Sequence, residues 1–154
     1  MARITCRTPS TGKPIRISMV NVTTDYTTIA EAPDFSIPDA SIKYQNRDPL
    51  DASRAIRPGE IFFLTPIAAR NKDTVTRWVE VILLTEDGII IEFGRIKVPA
   101  GDTAFIPTQG RSIFKRIPTA SNGDRIQIRA EQNSVFDVWA SAEERPSNEH
   151  IGVV

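Results

Sequence analysis

Residues able to do chemistry are few in this chain, and they are scattered. Its one histidine, His150, follows the adjacent carboxylates Glu143 and Glu144. Three such groups are the raw material of a metal site or an acid–base pair. Neighbouring side chains of a strand point to opposite faces, however, so Glu143 and Glu144 do not converge on one ion, and solvated charge is the better reading. The single cysteine, Cys6, has no His or Asn close by in sequence to activate it. One cysteine also excludes an internal disulfide and a zinc knuckle. No glycine-rich phosphate loop, Gly-x-Ser-x-Gly or His-x-x-x-His occurs. The expectation is a protein without catalytic residues, metal ligands, cofactor or small-molecule substrate, and so not an enzyme.

Two weaker constellations point to binding. Asp137 and Trp139 share a strand face, where an indole could stack on the apolar face of a sugar with a carboxylate beside it. Trp139 is the candidate ligand-stacking residue, with Trp78 and Tyr44 as further aromatic platforms. Arg111, Lys115, Arg116, Arg125 and Arg129 form a local basic stretch, but Asp124 and Glu131 adjoin it and no aromatic residues interleave. A salt-bridged sheet face or subunit surface fits better than a nucleic-acid platform. The whole-chain balance agrees: 19 Lys plus Arg against 19 Asp plus Glu leaves a formal net charge of zero, so no global grip on nucleic acid or anionic membrane is expected.

These residues must be held by short strands. The chain has 154 residues, 40% hydrophobic and 25% charged, which suits one folded domain. Eleven prolines cut it into short pieces in which apolar residues alternate. In Arg125–Glu131, Ile126, Ile128 and Ala130 point one way and Arg125, Gln127 and Arg129 the other. Phe136, Val138 and Ala140 repeat the pattern after Gln132-Asn133-Ser134, predicting a hairpin. Pro14–Val22 and Tyr26–Ala32 predict a second, Glu60–Ala69 a single strand, and Thr103–Pro107 and Gln109–Arg116 further short strands.

The strongest hairpin signal is Thr76–Glu86, Asp87-Gly88, Ile89–Val98. With Asp87 and Gly88 as the two central turn residues, Glu80 falls opposite Arg95, Val81 opposite Gly94, Ile82 opposite Phe93 and Leu84 opposite Ile91. Both faces of this hairpin are mainly apolar, so the second face needs a covering layer, from this chain or another subunit. Val79, Val81, Leu83, Ile90 and Ile96 are therefore candidate interface residues. The expected fold is all-β, an antiparallel β-sandwich whose strand number also admits a jelly-roll.

Three segments do not read as core. Residues 1–13 form an N-terminal arm, and 14–144 are the sandwich, interrupted by a proline-rich excursion over 32–59. That excursion carries Phe35, Ile37, Ile42, Tyr44 and Leu50, too little apolar area to hold it by burial alone. Fully extended, it would span ~90–100 Å, enough to strap a neighbouring subunit. Residues 145–154 are a polar tail with an apolar tip of Ile151, Val153 and Val154, suited to adding a strand to a neighbour's open edge.

Arg77–Leu84, Val98–Pro107, Gln109–Arg116 and Gly123–Ala130 resemble, in style and order, small virion structural proteins of tailed bacteriophages. The resemblance spans roughly residues 60–145. It implies a β-sandwich module repeated in rings or trimers of the virus particle, in the tail, neck or baseplate region, with a capsid decoration or cement protein as the alternative. A carbohydrate- or receptor-binding module is a further alternative. The implied partners are copies of itself and other virion proteins. Met1–Thr8 has no apolar segment of a signal peptide, so synthesis in the host cytoplasm and residence in the virion are expected.

Overall fold

The computed structural model describes residues 12–36, 56–116 and 122–146. All regular structure among them is strand: β1 (Lys13–Met19), β2 (Thr27–Glu31), β3 (Asp34–Ser36), β4 (Ile56–Phe63), β5 (Ile67–Asn71), β6 (Arg77–Leu84), β7 (Ile90–Val98), β8 (Thr103–Ile106), β9 (Ser112–Phe114), β10 (Arg125–Ala130) and β11 (Phe136–Pro146). They form two antiparallel sheets packed as a sandwich. The smaller runs β2-β10-β6-β7. The larger centres on β11, which pairs with β1 along one edge and with β4 and β5 along the other; β8 extends β5, and β3 and β9 extend β4.

Period-two alternation explains the layers. Ile126, Ile128 and Ala130 of β10 face Phe136, Val138, Ala140 and Ala142 of β11 across a core that also takes Val79, Val81, Phe63, Ile67 and Ile113. Burying such a face stabilises the fold by roughly 1.5–3 kcal/mol per large side chain.

Local signals misplace several connections. The expected hairpin of β10 with β11 does not form: the two strands lie in opposite sheets, with their apolar faces meeting in the core. Residues 131–135 turn the corner between the sheets, helped by Ser134 at φ 64°. The expected hairpin of β1 with β2 fails the same way, because β1 joins β11 and β2 joins β10. The strand expected over Glu60–Ala69 is two strands, both running along β11. Between them Leu64 and Thr65 bulge out, their amides both donating to the Ser141 carbonyl (2.9 and 3.3 Å).

The β6–β7 hairpin forms, with a corrected register. Val79–Ile96, Glu80–Arg95 and Val81–Gly94 pair as expected, but Ile82 meets Glu92, Leu83 meets Ile91 and Leu84 meets Ile90. The turn is a three-residue loop rather than a two-residue one. The Gly88 amide donates to the Thr85 carbonyl (2.9 Å) and the Thr85 amide to the Ile89 carbonyl (2.8 Å), with Gly88 at φ +86°. This is a type I turn closed by a left-handed glycine. The one-residue slip is absorbed at Phe93, where a bulge with Gly94 at φ +134° restores the pairing.

Candidate interaction surfaces

The outward face of the small sheet is knotted by one carboxylate. Glu80 on β6 accepts from the Tyr26 hydroxyl just ahead of β2, from Arg129 Nε on β10 (2.8 Å) and from Arg95 Nε on β7 (3.2 Å). The Arg95 guanidinium lies 3.9 Å over the Trp78 ring, and Arg129 lies 4.5 Å over Tyr26. One side chain thus ties β6 to β7 and β10 and to the residue that leads into β2. Burial pushes the Glu80 pKa up, but the Tyr26 and Arg129 hydrogen bonds and the charges of Arg129 and Arg95 outweigh it and hold the carboxyl below its ordinary value. The hydrogen bond to Glu80, then burial, raises the Tyr26 phenol above its own.

This polar knot, together with buried Ile82, covers the second face of the hairpin. The expected interface residues divide accordingly. Val79 and Val81 are fully buried in the chain's own core, and Leu83 and Ile96 pack against it half-buried, so the two valines offer nothing to a partner. Ile90 is 60% exposed, in a run with exposed Ile89 and Ile91 at the hairpin tip. Phe35 lies on β3, paired with Arg57. Ile37, Ile42, Tyr44, Leu50, Ile151, Val153 and Val154 lie outside the described residues, as do His150 and Cys6.

The open side of the sandwich, between β7 of one sheet and β9 of the other, holds a cleft of about 310 Å³ lined by Phe63, Leu83, Ile91, Phe93, Arg111 and Ile113. Arg111 sits 5.6 Å over the Phe93 ring and makes no ion pair among the described residues. Other members of the basic stretch do pair: Lys115 with Asp34 (3.3 Å), Arg116 with Asp124 (3.4 Å) and Arg129 with Glu80. The cleft is not legible in the sequence because its walls come from four separated segments. The one available signal was Phe93, an apolar residue beside a strand glycine.

The outward face of the large sheet carries an aromatic row. Ser18, Trp139, Ala68 and Phe105 are register partners across β1, β11, β5 and β8. Trp139 is 37% and Phe105 65% exposed, on either side of buried Ala68. Asp137, on the same face, pairs with Lys72 (2.9 Å) and accepts from the Asn21 amide (2.9 Å). Burial raises its pKa, and those contacts bring it below the ordinary value. Glu143 and Glu144 alternate sides as expected, Glu143 lying 3.8 Å from Arg145. Among the described residues no three His, Cys, Asp or Glu side chains gather as a metal site would need.

No family model matches the chain, and no curated protein does. Among solved structures, a chain from "Structure of infectious bursal disease virus Gt strain" aligns with 98% of this chain and 46% of its own length, at 8% identity and a TM-score of 0.22. This chain therefore spans less than half of that protein, and a likeness at that score carries no argument.

Proposed function

We propose that the chain is a non-enzymatic structural subunit of a virus particle, a β-sandwich tile of a tailed phage joined to copies of itself and to other virion proteins. The observation that supports this reading is the open side of the sandwich. There an apolar cleft lies beside the exposed Ile89–Ile91 run, while the rest of the small sheet is closed by its own polar knot. A tail, neck or baseplate position follows from the family resemblance; a capsid decoration protein is the variant of the same reading. Mass spectrometry of separated heads and tails tests both. A constant copy ratio in tails supports the first, abundance in heads supports the second, and absence from particles overturns the proposal.

The row of Trp139 and Phe105 favours a second reading, a glycan- or receptor-binding module. A glycan array is the test. Hits lost in Trp139→Ala support this reading, and an empty array disposes of it.

A further inference from the structure

The cleft between β7 and β9 is shaped for an extended segment. Among the described strands β7 pairs only with β6, so that wall offers a free backbone edge, while on β9 the Phe114 amide and carbonyl are already taken by Asp124. Its volume of about 310 Å³ is roughly twice that of a cavity that holds a benzene-sized group, which suits two branched aliphatic side chains. Arg111 stands at its rim without a carboxylate partner among the described residues.

The geometry points to one occupant, residues 147–154 of a neighbouring copy. The segment reads Ser-Asn-Glu-His-Ile-Gly-Val-Val. In a strand Glu149, Ile151 and Val153 share a face. That face presents two aliphatic groups to the apolar floor and one carboxylate to Arg111. The opposite face carries His150, Gly152 and Val154 toward solvent.

The donor is another copy because the segment is too short to serve its own cleft. β11 ends at Pro146, opposite Gly59, whereas the cleft lies near Phe63 and Ser112, four residues back along β4. β11 runs away from it. Return requires about 13 Å along the strands and about 10 Å across β4 and β9. A reversal takes at least two residues, which leaves 149–151, about 10 Å of extended chain, for the return of about 13 Å along the strands before any crossing. Ile151 and Val153 therefore cannot both be seated in cis, and a neighbour's tail has no such restriction. The inference rests on the assembly reading and names the contact that carries it.

Charge-swapped full-length chains provide the test. Light scattering should show that Arg111→Glu alone and Glu149→Arg alone each associate several-fold more weakly than the parent chain. Mixing the two should restore association, because the Glu149→Arg tail then meets the Arg111→Glu cleft. Ile151→Asp, outside the described sandwich, should weaken association at least about tenfold. A synthetic peptide of residues 147–154 in excess should dissociate the parent assembly, and a scrambled peptide should not. If the parent chain associates but mixing restores nothing and the peptide does not compete, the tail assignment falls and the assembly reading survives. If the parent is a monomer throughout, both fall.

Discussion

Replacing Glu80 by glutamine removes one charge while keeping the shape of the side chain. The Glu80 side chain is 8% exposed and faces two arginines, Arg95 at 47% and Arg129 at 32% exposure. Breaking a buried ion pair costs about 3–5 kcal/mol. Both arginines keep contact with water, which screens part of that loss, so about 2–3 kcal/mol is expected. In a chain of this size the melting temperature should fall by about 4–12 °C. Urea unfolding followed by tryptophan fluorescence measures the loss and reports locally as well, since Trp78 lies under Arg95. The pH dependence follows from the depressed carboxyl. Its contribution is complete above the ordinary value of 4.5 and is lost as pH falls through the lower folded value. The gap between Glu80→Gln and the parent should therefore close in acid. A loss below about 0.5 kcal/mol at neutral pH, or a gap unchanged in acid, refutes the idea that this carboxylate knots the sheet.

Gly94→Ala forces a side chain onto a backbone at φ +134° and should cost about 1–3 kcal/mol, read as a lower urea midpoint. Asn71, fully buried, donates to the carbonyls of Val75 and Val98 (2.8 Å each) and accepts from the Asp73 amide (2.8 Å). Asn71→Ala leaves these groups unpartnered and should cost about 2–4 kcal/mol by thermal unfolding. Trp139→Ala, on the exposed row, should change stability by less than about 1 kcal/mol in the same assay.

Alternation made the strands legible, and composition made the class legible, because a period of two over Arg125–Ala130 and Phe136–Ala140 leaves no helical alternative. Partnership was not legible. A strand with one apolar face looks the same whether its sequence neighbour lies beside it or across the core, and both β10–β11 and β1–β2 take the second arrangement. The Asp-Gly pair marked the turn but not its length, since a left-handed Gly88 serves a three-residue loop as well as a two-residue one. Glu80 with Arg95 was readable from the register, whereas Tyr26 and Arg129 join the knot through sheet neighbours remote in sequence. Val79 and Val81 were apolar for the ordinary reason that they line the core.

Sedimentation equilibrium of the full chain over a hundredfold range of concentration decides whether copies of the chain associate. A subunit that assembles with its own copies gives a mass that rises with concentration toward a whole multiple of 17.1 kDa. A mass that stays at 17.1 kDa across the range would contradict that assembly.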